Sequence, residues 1–558
     1  MVEAADLVLP RLGGSESVVT SILVIALIGF PIAVVLAWFY DLTPGGVERT
    51  SRFDTASRAP AYTVGAGAIL LVVAIGAWLM QGRNFSSSGS QEVVSNVGVS
   101  LAVLPFEDMS SAGDQEWLGE GFAEEILAAL SRVPNLHVVA RQSSFSLRDA
   151  TLSELADRLG VTHVLSGSIR TEGARARIRA QLTEIETQSG VWSRDFRPEL
   201  TSVLDAQEDI ARAVVDALEV ELGVIGAASI MSASTLDPIA YEHYLRGLRL
   251  WNRRSEADIL SAIAHFEAAV GADPEYAAAW AGLAYVHLVL PEYSPTANLQ
   301  LARDRSVEAA AQALLIDPEQ PDALTARGWG RMVHHYDWNG AEELIAQALE
   351  LNPTNVNALH WQSHILSWQG RHAEALLLAR RAAALDPLSS IMRTNLAFIL
   401  MEAREYDDAL REAERVLASE PSYEASLRLV WDINTRAGRF DVAATALQTW
   451  FVARGKDAIA ARELAAVFAN AASDFRETGL PGTLPQELVD RLQPGLYMGA
   501  QLFASVGDRT ATLEILEQAF RERAGARSLL SVRVNPHFDF LREDPGFLDL
   551  VERVGLGG

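Results

Sequence analysis

The sequence predicts a multidomain chain: two transmembrane helices, a mixed α/β domain, and an all-α superhelix of paired helices. Three observations carry that reading. Two long uncharged runs lie near the N-terminus. A stretch after Val97 mixes short apolar runs with amphipathic ones. In the C-terminal half an acid or amide followed by proline recurs at a nearly fixed spacing.

The composition suits packed cores, with 49% hydrophobic and 21% charged residues in 558. There is no cysteine, which excludes a disulfide framework, thiol catalysis and cysteine-ligated metal centres. The net charge is −26; seven acids and five arginines through Val94 leave −24 on the remainder. So acidic a surface repels phosphate backbones, and nucleic acid is not an expected partner.

Val18 to Tyr40 carries no charge, and Ala61 to Met80 is a second uncharged run. A bilayer core needs about 20 apolar helical residues, so both runs are expected to span. Trp38, Phe39, Tyr40 and Trp78 suit interfacial positions. Arg49, Arg52 and Arg58 fall between the runs, against Arg11 before them and Arg83 after. The positive-inside rule then places the linker in the cytoplasm and everything after Met80 outside. The expectation is a two-pass protein of a bacterial inner membrane with periplasmic C-terminal domains. Its parts are a flank (1–17), a helix (18–40), a linker (41–60), a helix (61–80) and a Ser/Gly/Gln-rich tether (81–96).

Residues 97–223 read as the α/β domain. Val99 to Pro105 is an apolar run ended by proline, and Leu136 to Ala140 is a second strand. Trp117 to Arg132 has helical spacing. Thr151 and Glu154 fit a capping box for a helix from Leu152 to Leu159, stopped by Gly160. His163 to Arg170, Arg175 to Glu184 and Val191 to Phe196 read as a meander, and Leu204 to Leu222 as a closing helix. Leu101-Ala-Val-Leu-Pro-Phe-Glu-Asp-Met109, Gly119-Glu-Gly-Phe-Ala-Glu-Glu-Ile126, Val139-Ala-Arg-Gln-Ser-Ser-Phe145, Leu159-Gly-Val-Thr-His-Val-Leu-Ser-Gly-Ser168 and Gln207-Glu-Asp-Ile210 follow in order. Together they resemble the TolB amino-terminal-like domain, a module related to the FlgO-type domain. Glu107, Asp108, Asp114 and Glu120 stand where a ligand site would lie, and equally suit caps and solvated turns.

Residues 236–455 carry the repeats. Pro274, Pro318, Pro353, Pro387 and Pro421 recur along the chain, with the first gap the widest and the last two equal. The spacing settles at about 34 residues, the tetratricopeptide period, with proline closing each helix pair. Ala269, Ala313, Ala348, Ala382 and Val416 share one position shortly before the prolines. Ala262, Ser306, Ala341, Ala375 and Ala409 share another, two helical turns earlier. Small residues there let the paired helices approach closely. Gly370, Gly438 and Gly507 share one repeat position, the turn inside a pair. Six units are expected from Tyr241 to Gly455, with a degenerate pair and a cap in 456–558.

The wider resemblance is to bacterial membrane proteins that join a TolB amino-terminal-like domain to tetratricopeptide repeats. Gly29-Phe-Pro-Ile32 and Leu42-Thr-Pro-Gly-Gly46 resemble their membrane segment. Such relatives often have one more upstream helix, and some carry a nucleotide-cyclase or winged-helix domain there. Ala4-Ala-Asp-Leu-Val-Leu-Pro10 is similar to the tail of that helix, which implies a start further upstream.

No phosphate loop, His-Glu-x-x-His or nucleophile elbow appears, so no catalytic residue, cofactor or metal is expected. Stacked helix pairs make a concave groove that suits a protein or peptide partner. Arg246, Arg249, Arg253, Arg254, Trp329, His360 and His364 are the candidate contacts. The arginines equally suit a solvated face and the tryptophan a core. The expected function is a non-enzymatic, membrane-anchored scaffold or adaptor of the cell envelope, preferring segments with some positive charge. A ligand-sensing signalling protein and a part of a nucleotide-cyclase system are the alternatives.

Overall fold

The computed structural model describes residues 40–43, 46–49, 99–110, 116–131, 133, 136–172, 175–198, 209–210, 212–214, 216–217, 237–253, 255–294, 297–522 and 529–556. The chain divides into two units, Met1–Asn96 and Val97–Gly558.

In the first unit β1 (Tyr40–Thr43) and β2 (Gly46–Arg49) pair antiparallel, Tyr40 opposite Arg49 and Thr43 opposite Gly46. This corrects the membrane expectation where it meets the described residues. Tyr40 begins a strand and does not end a helix. Part of the expected linker is a pair of strands flanking Pro44-Gly45 in sequence, residue types that favour reversal. The rest of the two expected spans, 18–39 and 61–80, lies outside the described residues. Among the described residues no helix is long and apolar enough to cross a membrane. The longest, Ala458–Thr478, carries Arg462, Glu463, Asp474, Arg476 and Glu477. The apolar helix Ala277–Tyr293 stops at 17 residues. The two-pass architecture and the inner-membrane, periplasmic placement are therefore set aside.

The second unit opens on a sheet built from β3 (Ser100–Val103), β4 (Glu107–Asp108), β5 (His137–Val138), β6 (His163–Glu172), β7 (Arg175–Glu184) and β8 (Ser189–Phe196). The order is β5-β3-β6-β7-β8, and β4 extends the β3 edge along β6. Pairing is parallel at β5, β3, β4 and β6 and antiparallel through β6, β7 and β8. Along β7, Ala176, Ile178, Ala180 and Leu182 are buried while Arg175, Arg177, Arg179 and Gln181 face water, the period-two pattern of a half-buried strand. That inner face meets α1 (Glu116–Leu130) through Phe122, Ile126 and Leu130. α2 (Arg141–Phe145) and α3 (Leu152–Leu159) lie on the other face, where Val139, Leu155 and Val164 pack. The Thr151–Glu154 capping box opens α3 and left-handed Gly160 ends it. Such a cap contributes about 1 kcal/mol. Gly167 is forced by close approach: a Cβ there would stand 2.2 Å from the Phe106 ring and 2.3 Å from the Arg179 carbonyl.

Six helix pairs follow. They are α4 (Pro238–Arg253) with α5 (Glu256–Ala272), α6 (Ala277–Tyr293) with α7 (Leu299–Ile316), and α8 (Pro321–His335) with α9 (Trp338–Leu351). Then come α10 (Val356–Trp368) with α11 (His372–Leu385), α12 (Ser390–Glu402) with α13 (Tyr406–Ser419), and α14 (Glu424–Arg436) with α15 (Phe440–Ala453). The small residues of the repeat motif are buried at each pair, Ala262, Ala341, Ala375 and Ala409 completely. The turn inside a pair holds one left-handed residue at the same position of successive repeats: Tyr336, Gly370, Arg404 and Gly438.

The array continues through α16 (Ala458–Thr478), α17 (Gln486–Leu492), α18 (Leu496–Ser505) and α19 (Arg509–Glu522). A 3-10 turn (Pro536–Leu541) and α20 (Pro545–Arg553) end it. This C-terminal segment folds back onto earlier repeats. The Trp338 indole donates to the Val554 carbonyl at 3.1 Å, Tyr336 stacks on Phe520, and His537 stacks on Trp431 at 5.6 Å. One apolar cluster accordingly joins Trp251, Trp329 and Trp361 to Leu530, Phe538 and Val554.

Candidate functional site

The first helices of successive pairs present the same positions to one another once per repeat. His360, Thr394 and Arg428 form one such column; Trp361, Asn395 and Leu429 a second; His364, Phe398 and Asp432 a third; Trp368, Glu402 and Arg436 a fourth. All twelve line one cavity of about 1040 Å³. α18 contributes Tyr497 and Gln501, and the C-terminal segment Ser531 and Asn535. The C-terminal segment thus contributes to the lining of the concave groove expected of stacked pairs.

Aromatic rings run from the first pair into the cavity wall, where Trp329, Trp361, Trp368 and Phe398 stand. Trp251 stacks on Tyr285 at 5.6 Å, Tyr285 meets Trp361 edge-on at 5.3 Å, and Trp361 stacks on Trp329 at 5.2 Å. Trp329 lies 5.9 Å from Trp368, which meets Phe398 edge-on at 6.5 Å. Ring pairs of this kind add about 0.5–1.5 kcal/mol each beyond their burial.

An ionic hub closes the other end. Arg436 Nε binds Asp432 Oδ1 at 2.6 Å, and Arg436 Nη2 binds Glu402 Oε1 at 3.2 Å; all three side chains are buried. His537 Nε2 reaches Asp432 Oδ1 at 2.7 Å, and the Gln501 amide donates to Asp432 Oδ2 at 3.3 Å. Burial opposes the Asp432 charge, yet Arg436 and His537 hold its carboxyl well below the usual range. Burial pushes Glu402 up against the pull of Arg436, and pulls His537 down despite Asp432.

The structure divides the seven residues singled out by sequence. Trp329, His360 and His364 come together in the cavity, with the two histidine Nε2 atoms 3.2 Å apart. Arg249 and Arg253 lie on a second cavity of about 660 Å³, lined by the α/β layer, α4 and later repeats, which shares Tyr293, Ile391, Glu420 and Tyr423 with the first. Glu120 is buried there beneath Arg148 at 2.5 Å, Arg141 at 3.5 Å and Arg249 at 3.8 Å. Arg253 pairs with Asp258 at 3.6 Å. Arg246 pairs with Glu242 on its own helix, and Arg254 lies outside the described residues. Of the acids singled out in the α/β layer, Glu107 is exposed on β4, Asp108 accepts from the Ser110 N–H, and Asp114 lies outside the described residues. Among the described residues no group of three or more His, Asp or Glu is placed to hold a metal ion.

Sequence reasoning missed Trp361, Trp368, Asn395, Phe398, Glu402 and Arg436. Phe398 was within reach, one repeat of about 34 residues after His364; the other five fall in columns to which neither histidine belongs. Gln501 has no such signal, because α18 meets α14 only through the fold.

No family model matches the chain. A putative adenylate cyclase 3 from Rhizobium meliloti (strain 1021) is 32% identical over 191 residues, which cover 34% of this chain and 32% of that protein. The match thus spans about a third of the relative's length. Among solved structures, PilF of Pseudomonas aeruginosa is 18% identical, with 46% of this chain and 96% of that chain covered and a TM-score of 0.28. PilW, a type IV pilus biogenesis factor, is 15% identical over 51% and 94%, with a TM-score of 0.24. YrrB, a TPR protein with an unusual peptide-binding site, is 19% identical over 34% and 90%, with a TM-score of 0.22. Scores this low carry no fold argument, so the repeat architecture rests on the chain's own helix pairs and their shared register.

Proposed function

We propose that the chain is a non-enzymatic protein-binding scaffold that holds a segment of a partner against the inner face of its repeats. The observation that carries this reading is the convergence of four repeat columns on one aromatic-walled cavity. Stacked pairs with such an inner face are suited to extended or helical segments. Trp329, His360 and His364 are contacts in this reading; Arg249 and Arg253 are secondary ones where the α/β layer meets the first pair. Residues 97–223 act as a TolB amino-terminal-like domain in this reading, supported by the ordered motifs from Leu101 to Ile210. It braces the repeats, whose array occupies 236–455, with 456–558 as a closing cap. The adenylate cyclase name belongs to a relative matched over a third of its length, and no catalytic set among the described residues supports that activity here.

Site-specific photo-crosslinking in cells tests the proposal. A photoreactive residue at half-buried Phe398 is expected to capture partner protein; one at Leu377, 62% exposed on the outer face of α11, is not. Capture at Leu377 alone, or equal capture at both, overturns the reading.

A further inference from the structure

The second cavity, of about 660 Å³, lies where the α/β layer meets the repeats. Its size falls within the range of about 300–1,000 Å³ typical of small-molecule pockets. Four guanidinium groups line it: Arg141 and Arg148 from the α/β layer, Arg249 and Arg253 from α4. Glu120, Asp258 and Glu420 line it too, and Glu124 holds Arg141 Nε at 2.8 Å. The charges balance, four against four; their placement does not. The side chains of Arg148, Arg249 and Arg253 are 36%, 49% and 65% exposed, those of Glu120 and Asp258 only 7% and 17%. Asp258 also accepts from the Ser255 hydroxyl at 2.6 Å. Glu420, which lines both cavities, accepts from the Ser390 hydroxyl. The accessible charge around the second cavity is therefore mainly guanidinium.

Two of these groups are held loosely. Arg249 stands 3.8 Å from Glu120 and Arg253 stands 3.6 Å from Asp258, both longer than a hydrogen bond. Among the described residues neither arginine donates a hydrogen bond. They lie one turn apart on the same face of α4, where like charges repel. Arg148, bound to Glu120 beneath them, adds a third positive charge. An anion between them relieves that repulsion and accepts from their N–H groups. The planar fork of arginine matches the paired oxygens of phosphate and carboxylate, and such charge-assisted bonds are about twice as strong as neutral ones. The chain's net charge of −26 is compatible with an anion here, because acids beyond a Debye length of about 8–10 Å are screened at moderate salt.

We propose that this second cavity binds a small oxyanion, a phosphate ester or a carboxylate, between Arg249 and Arg253 on the repeat side and Arg148 on the α/β side. The site goes beyond the scaffold reading: it gives the chain a soluble ligand beside the groove, held by both layers at once.

Calorimetry on the full chain tests it with four probes built on one ring: phenyl phosphate, phthalate, benzyl alcohol and benzamidine. One of the two anions is expected to bind about tenfold or more tighter than the neutral and cationic rings, and the tighter anion names the oxyanion. A smaller margin, tighter benzamidine, or no anion binding overturns the proposal. The double replacement Arg249→Gln, Arg253→Gln alters two exposed side chains and should weaken the anion by about tenfold. Arg305→Gln with Arg411→Gln makes the same change of charge on exposed side chains that line neither cavity, and should leave the affinity unchanged. Equal losses in the two double variants would trace binding to general charge and overturn the site. The comparison of probes on the unaltered protein needs no variant to fold. Capture at Phe398 without anion binding defeats only this inference; anion binding without capture defeats only the scaffold reading.

Discussion

The repeat array is held along two seams, and they desolvate carboxylates in opposite ways. On the α/β side the seam includes single polar contacts beside the Arg249–Glu120 pair. The Ala140 N–H donates to the Leu385 carbonyl at 2.7 Å, Thr354 donates to the Ser131 carbonyl at 2.9 Å, and the Tyr241 hydroxyl donates to the Gly121 carbonyl at 3.2 Å. One of its buried acids, Asp386, has no cation among its described partners. It accepts from the Ser143 hydroxyl at 2.6 Å and the Ser143 N–H at 3.1 Å. On the C-terminal side the seam is aromatic and its acids, Asp432 and Glu402, share buried Arg436. A cation opposes the effect of burial, so that Asp432 is held below the usual range while Glu402 is still pushed up; an acid with no cation has only neutral hydrogen bonds to oppose burial. Asp386 follows the second course: burial pushes its carboxyl up to about 6, against the pull of Ser143 and Ser389.

The largest expected effect breaks the paired seam. Arg436→Met leaves two buried acids without their shared guanidinium and should destabilise the chain by about 3–5 kcal/mol in denaturant melts. The triple replacement Glu402→Gln, Asp432→Asn, Arg436→Met should recover most of that loss. A triple variant no more stable than the single would show that the arginine matters for its packing and not for its charge.

Next in size is the unpaired seam. Asp386→Ala removes the acceptor for two Ser143 donors and should destabilise by about 1–3 kcal/mol. The pH dependence sharpens the contrast. The native carboxyl titrates at about 6 and the unfolded one near 3.8, so the native state binds more protons between those values. The stability this group contributes is full below about 3.8 and is lost as pH rises through about 6. Asp386→Asn keeps the acceptor and mimics the neutral acid, so it should gain on the parent as pH rises across that window. Thermal melts of both at pH 4 and pH 7.5 measure the difference; parallel curves would show that Asp386 titrates normally.

The smallest effect is Thr354→Val, which deletes one seam bond with little change of shape and should lower stability by about 0.5–1.5 kcal/mol, read from the same melts. A value far above that range would mean the Ser131 contact is coupled to its neighbours.

Much of this architecture was legible in the chain itself. The proline spacing revealed the repeat period, and the alanines before each proline marked the buried contact between paired helices. The alternation in β7 and the Thr151–Glu154 cap were equally local, because strand faces and helix caps are set by near neighbours in the chain. The expected membrane spans are the contrary case. There Tyr40 opens a strand paired with Gly46–Arg49, and among the described residues no helix is long and apolar enough to cross a membrane.

What sequence determined is the period, since every repeat poses the same local packing problem. Extended by that register, His364 leads to Phe398 and Asp432, and His360 to Thr394 and Arg428. What only the tertiary structure decided is which distant residues meet across the array. Gln501 beside Asp432, Trp338 against Val554 and Ser143 on Asp386 are separated by 69, 216 and 243 residues. No local preference encodes such meetings; they follow from how many pairs stack before the chain returns on itself, a sum of small rotations that no single repeat contains.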